Sequence, residues 1–300
     1  WSSTPVFITQ DCPEQLVIEI KKSCDFIKIP HGIKTQDEPD YFAENLMNPG
    51  DIIVLDGYNF SSEYQQKLKI NGFKTVYIDD LHQGIQVADL VINHAPNVDA
   101  SLYQRNSNTT LLLGLEYLIL RKQFRQIIGS EIKKIKQVND LVICFGGADP
   151  NNVTLKAVKA FFSTNLQINL HVITGSSYLF KQELIHEVNL NNRVKLYENL
   201  TAAEMARLLY DVQAVICPAS TISLEALVCG NLLITGLTAP NQSLILNGLE
   251  KFKQVCSVKD FELITANELS VKMRSFLEHI PYFDTFELSK NPYPKIFRLL

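Results

Sequence analysis

The apolar run Leu141-Val142-Ile143-Cys144-Phe145 passes directly into Gly146-Gly147-Ala148-Asp149-Pro150-Asn151-Asn152, after which Val153 and Thr154 open a helical stretch. Two glycines let a backbone come close to a ligand, and a helix amino end offers unpaired N–H groups to an anion. The same residues also suit a plain capped turn, with Asp149 or Asn152 serving the helix end, and their spacing matches neither GxGxxG nor a P-loop. A second segment, Pro218-Ala219-Ser220-Thr221-Ile222-Ser223-Leu224-Glu225-Ala226, follows the run 214–217. Small residues and hydroxyls stand there where strand turns to helix, so the amides and the Ser220 and Thr221 side chains could cradle a diphosphate. Glu225, one turn further on, could accept both hydroxyl protons of a ribose diol. The alternative is a helix capped by Ser220 or Thr221, with Glu225 a solvated first-turn acid.

A third segment, Ala239-Pro240-Asn241-Gln242, follows the run Leu232 to Thr235. Its two carboxamides each donate and accept, which suits hydroxyl- and amide-rich ligands such as sugars, although Asn241 also fits a simple N-cap. In the first half, Asp56-Gly57-Tyr58 and Asp79-Asp80-Leu81-His82 each close a strand. Carboxylates such as Asp80 could orient a sugar or a general acid-base partner there, or serve only as turn residues. His82 and His94 also follow strand ends and could titrate near neutrality, as ordinary surface histidines do. Neither a Ser-His-Asp order nor a metal-ligand cluster can be assembled.

The elements that would position these residues alternate. Runs of five to seven apolar residues are separated by segments with helical spacing, which predicts βαβ units, parallel sheets and an α/β fold. Strands are expected near 5–10, 26–30, 51–56, 74–79, 88–93, 110–113, 141–145, 169–174, 193–197, 214–218, 232–236 and 253–257. Helices are expected near 12–23, 38–47, 60–71, 153–163, 178–189, 201–209, 222–229, 241–250 and 266–279. The charged stretch 121–136 reads as a boundary between a domain at 1–123 and one at 137–300, the last helix possibly excepted by crossing back. Runs such as Asp51 to Leu55 and Ala214 to Cys217 are apolar on both faces and read as central strands. In such sheets ligands bind beyond the carboxyl ends of the strands.

Composition narrows the partners. The 300 residues are 46% hydrophobic with a net charge of -4, so no broad basic surface awaits a phosphate backbone, and nucleic acid is not expected. The six cysteines form no CxxC pair and read as buried thiols of a reducing cytoplasm. Stable membrane insertion is not expected either, because no apolar segment reaches the ~18 residues that span a bilayer. Trp1 heads the chain and a strand is under way by Val6, which reads as a fragment beginning after a first strand and loop.

Taken in order, several of these segments resemble one family. Asp56-Gly57-Tyr58, Ile78-Asp79-Asp80, Ala88 to Asn93, Leu113 to Arg121, Phe145 to Pro150, Ala219-Ser220-Thr221 with Glu225-Ala226, and Asn241-Gln242 resemble the UDP-2,4-diacetamido-2,4,6-trideoxy-β-L-altropyranose hydrolases of pseudaminic acid biosynthesis. The resemblance runs from about residue 5 to Pro294-Lys295-Ile296-Phe297-Arg298. It implies a GT-B fold, two doubly wound Rossmann-like domains facing a cleft, similar to the lipid II-forming N-acetylglucosaminyltransferase. It also implies water attack at the anomeric carbon of a UDP-sugar, with no cofactor and no metal, in a monomer. Under it Ala219, Ser220 and Thr221 hold the pyrophosphate and Glu225 binds the ribose; Gly146 and Gly147 are expected to bind the substrate through their backbone. Tyr58 and Asn241 line the catalytic pocket, with Asp80 and Gln242 on the substrate. Ser220-Thr221 stand where many relatives carry a glycine, and the family's N-terminal histidine loop has no counterpart in these residues. A GT-B glycosyltransferase and a non-catalytic nucleotide-sugar binding protein are the alternative expectations.

Overall fold

The computed structural model describes residues 4–128, 133–189, 191–283, 296, 298 and 299. These fall into two compact units, one comprising residues up to Ile78 with Gly84–Asp89 and Gln104–Thr109, the other Asp79–Gln83, Leu90–Tyr103 and the chain from Thr110 on. The expected crossing helix and the closing motif at Pro294 lie largely outside the described residues.

In the first unit, β1 (Val6–Thr9) and β2 (Asp25–Lys28) are parallel, joined through α1 (Glu14–Ile20). A 3-10 turn at Thr35–Asp37 leads into α2 (Glu38–Asn45); β3 (Ile52–Asp56), α3 (Ser62–Ile70) and β4 (Lys74–Ile78) then form a βαβ unit with its strands parallel. A short parallel pair, β5 (Ile85–Gln86) and β7 (Gln104–Arg105), completes the unit. Buried Glu38 is held by the Tyr64 hydroxyl at 2.9 Å and by the Gln10 amide at 2.9 Å, so its charge is met from two elements.

β3 departs from expectation. It pairs with β4 on one side, while its other edge borders a cavity of about 360 Å³ whose far wall is β1. Consecutive residues, Val6 to Gln10 and Ile52 to Asp56, line that cavity, so the main-chain edges of both strands face it rather than one side-chain face. Val54 is accordingly 53% exposed. An apolar run records coverage of a strand's two faces and carries no information about pairing at its two edges.

The second unit holds β6 (Leu90–Asn93) and β8 (Thr110–Leu113), a parallel pair, then α4 (Lys122–Ile127). From there βα units alternate: β9 (Asp140–Cys144), α5 (Val153–Ser163), β10 (Asn169–Thr174), α6 (Lys181–Val188), β11 (Val194–Glu198) and α7 (Ala202–Asp211). They continue through β12 (Ala214–Pro218), α8 (Thr221–Val228), β13 (Leu232–Leu237), α9 (Ser243–Leu249), β14 (Val255–Asp260) and α10 (Ala266–Glu278). β9 to β14 form one parallel sheet.

Its side chains divide by the two-residue period of a strand. Leu141, Ile143, Leu170, Val172, Ile216 and Ile234 pack into a core with α5, α6 and α10; Val142, Cys144, Ile173, Val215, Cys217 and Leu233 pack into a second core with α4, α7, α8 and α9. Both faces are covered, which is why these strands read as unbroken apolar runs. Helix α4 was not expected: it lies inside the charged stretch 121–136. Phe124, fully buried, and Ile127 beside it anchor one face of α4 in the second core, while Lys122 and Gln126 face out.

Candidate functional site

The strand order β11-β10-β9-β12-β13-β14, counted from β9 as first, is 3-2-1-4-5-6. This is the Rossmann order, in which the sheet changes direction between its first and fourth strands and leaves a crevice at their carboxyl ends. The two segments that leave those ends are 146–148 after β9 and 219–221 after β12, the same two that the sequence singled out.

Gly146, Gly147 and Ala148 are exposed, and Gly146 has φ +82°, a conformation glycine adopts freely. The loop rests on Gly175 at the end of β10: a Cβ there would stand 2.5 Å from Gly147 Cα. Asp149 is buried and accepts from Val153 N at 2.9 Å and Thr154 N at 2.7 Å, closing the amino end of α5 with its own carboxylate. The capped-turn reading therefore describes α5, and what the loop offers a ligand is its glycine backbone.

Helix α8 is different. Ser220 is its N-cap residue, yet its side chain makes no capping bond. Ala219 N donates to Gly236 O at 2.9 Å and Ser220 N to Pro218 O at 2.8 Å, while Ser223 N and Leu224 N turn back to Ser220 O. The amides of Thr221 and Ile222 are left without a backbone partner among the described residues, at the positive end of the helix. Thr221 is exposed, Ser220 half-buried and Ala219 fully buried.

Glu225 is far from a solvated acid. Its side chain is 2% exposed, and Arg121 holds both its oxygens, Nε and Nη2 at 2.7 Å each. Arg121 also lies over the Phe124 ring, and its pairing with a residue 104 positions away leaves no local signal in the sequence. The bond to the carboxylate raises its pKa further above the ordinary guanidinium value.

At the end of β13, Asn241 donates to Asp80 Oδ2 at 3.4 Å. Gln242 turns inward instead, accepting from Thr238 N at 2.8 Å and bonding its hydroxyl. Asp80 is aimed by its neighbour: buried Asp79 accepts from Leu81 N at 3.2 Å, His82 N at 2.9 Å and the Tyr103 hydroxyl at 2.7 Å. Tyr103 in turn accepts from Asn93, which precedes His94. Tyr58 belongs to the first unit, 61% exposed in the turn after β3. Thus the second unit brings together the ends of β9 and β12, joins Asp80 to Asn241, and engages Glu225 and Gln242 with Arg121 and Thr238. Among the described residues no group of three or more His, Cys, Asp or Glu could hold a metal ion, and no helix is long and apolar enough to cross a membrane.

No family model matches the chain. It is 24% identical over 208 residues to the uncharacterized protein MJ1062 of Methanocaldococcus jannaschii, an alignment that takes in 66% of this chain and 42% of that protein; the chain thus matches less than half the length of this relative. Among solved structures, MurG of Acinetobacter baumannii superposes with a TM-score of 0.59 at 10% identity, over 90% of this chain and 80% of that one. UGT2 of Phytolacca americana, solved with UDP-2-fluoro-glucose and pterostilbene, gives 0.53 at 10% identity, over 91% and 83%. TarM of S. aureus, solved with fondaparinux, α-GlcNAc-glycerol and UDP, gives 0.52 at 11% identity, over 81% and 52%. At such identities the likeness is one of fold, and the fold is GT-B, built from Rossmann-like α/β domains.

Proposed function

We propose that this chain binds a UDP-sugar and that the intact protein hydrolyses it, water attacking the anomeric carbon and UDP departing. The observation that carries the reading is the open Rossmann crevice: exposed Gly146 and Gly147 on one side, and on the other the unpartnered Thr221 and Ile222 amides of α8 with the Ser220 and Thr221 hydroxyls. Fixed N–H donors at a helix amino end stabilise a departing diphosphate without reorganising. In this reading the Arg121 fork leaves the remaining lone pairs of Glu225 to the ribose hydroxyls, while Asn241 and Asp80 serve the sugar. The ordered segments resembling the diacetamido-trideoxy-sugar hydrolases favour hydrolysis and a place in nonulosonic acid biosynthesis.

The test is release of UDP from such a sugar nucleotide by the intact protein with neither acceptor nor metal added. UDP released only when an acceptor alcohol is supplied would make the protein a glycosyltransferase, and UDP binding without turnover would make it a binding protein. Gly175→Ala checks the crevice separately. Its Cβ would press on Gly147 and shift the 146–148 loop, so calorimetry should find UDP affinity weakened by about 1 kcal/mol, roughly fivefold.

A further inference from the structure

Glu225 is a buried charge only half provided for. A carboxylate offers about four lone-pair sites, and among the described residues Arg121 fills two of them, one on each oxygen. The side chain is 2% exposed, so the second site on each oxygen lies open inside the protein rather than in bulk water. A native buried acceptor left unfilled calls for an explanation, and a ligand group is one. The place suits a nucleotide. Glu225 lies one turn into α8, and its charge bears on Cys144, the last residue of β9, and on Cys217 near the end of β12, the two strands that bound the crevice.

Arg121 is held from three sides. Its carbonyl accepts from Phe124 N at 3.0 Å and from Arg125 N at 3.2 Å where α4 begins. Its guanidinium lies 5.0 Å from the centre of the Phe124 ring, which is fully buried in the second core. The fork to Glu225 is the third hold, and it fixes the carboxylate in turn, because no rotation keeps both N–H bonds of 2.7 Å. The open acceptor sites therefore point one way.

We propose that Arg121 is a positioning residue that sets this site's preference for ribonucleotides: it holds Glu225 so that the open acceptor site on each oxygen takes one of two vicinal hydroxyls. The proposal rests on the UDP-binding part of the reading above and not on hydrolysis. A 2′-deoxy sugar lacks one hydroxyl and leaves one carboxylate oxygen short of a donor, a loss of about 10- to 100-fold for a hydrogen bond to a charged group. Lysine in place of Arg121 keeps the positive charge but not the fork, since an ammonium is a point charge that cannot hold both oxygens in one plane. The carboxylate then turns, and the second hydroxyl gains less.

Calorimetry with UDP and 2′-deoxy-UDP on wild-type and Arg121→Lys proteins tests this. Wild type is expected to prefer UDP by about 10- to 100-fold. Arg121→Lys should narrow that preference by about threefold or more, weakening UDP while 2′-deoxy-UDP stays within about twofold; a merely structural role would weaken the two ligands alike. A second readout needs no variant: the Nε–H proton resonance of wild-type Arg121 should shift when UDP is added, and shift less with 2′-deoxy-UDP. A wild-type preference for UDP that Arg121→Lys retains in full, with an Nε–H resonance that answers both ligands alike, would overturn the proposal alone. Equal wild-type affinity for UDP and 2′-deoxy-UDP would take Glu225 off the ribose and this proposal with it, leaving UDP binding standing. A wild-type protein that binds neither would overturn the UDP reading as well.

Discussion

Arg121→Ala is expected to lower the unfolding free energy by about 3 kcal/mol, read from urea denaturation, whereas Glu225→Ala should lower it by about 1 to 2 kcal/mol. The asymmetry follows from where the two charges lie. The Glu225 side chain is 2% exposed and Arg121 is 43% exposed. Removing the arginine strands a carboxylate in the core beside Cys144 and Cys217, and breaking such a pair costs about 3 to 5 kcal/mol when both partners are buried. The exposure of Arg121 puts the figure at the low end, since water already screens part of the pair. Removing the glutamate leaves a cation that can swing into water. The double variant Arg121→Met with Glu225→Leu should recover most of the loss, because an apolar pair of similar volume is often as stable as a buried ion pair. Function should divide the other way. If the free lone pairs of Glu225 take the ribose hydroxyls, Glu225→Gln weakens UDP binding by about 1.5 to 3 kcal/mol, the range for hydrogen bonds to a charged group. Equal UDP affinity in wild type and Glu225→Gln would remove Glu225 from the nucleotide site.

That pair also marks what could be read from the chain and what could not. The α/β alternation was legible, because the central strands of β9 to β14 are covered on both faces and read as apolar runs; β9 to β13 fall within one residue of expectation, and β14 within three. The loops at the switch point were legible for the same reason, since small and hydroxyl residues stand out after such runs. Two kinds of information were missing. One was lateral: β3 reads like β12, but one of its edges borders a cavity and Val54 is half exposed, because no pattern along a strand reports what pairs with its edges. The other was long-range: Arg121 meets Glu225 104 positions away, and Asp80 meets Asn241 161 positions away. Local rules did settle smaller matters, and in both directions. Asp149 caps α5 as its type allows, while Ser220, equally suited, leaves α8 uncapped.

Gly248→Ala sets a local rule against a long-range one and should show which governs. Position 248 lies inside α9, where replacing glycine by alanine ordinarily favours the helix by about 1 kcal/mol. Here the added Cβ would stand 2.7 Å from Pro96 C and 2.8 Å from its Cβ, and closer still to its carbonyl oxygen. These are mainly atoms of a backbone segment fixed by the Asn93 turn, which cannot rotate aside as a flexible side chain would. Overpacking against such a wall costs about 1 to 3 kcal/mol and occasionally more, so a net destabilisation of about 2 kcal/mol is expected in urea unfolding despite the helix-forming gain. The displaced wall lies just after Asn93, which is tied through Tyr103 to Asp79 beside Asp80, and α9 begins directly after Asn241 and Gln242. Relaxation of either side would separate Asp80 from Asn241, and under the proposed function kcat for UDP release should then fall at least tenfold while UDP affinity stays within twofold. A Gly248→Ala protein more stable than wild type would show that α9 and the Pro96 segment are not in close contact.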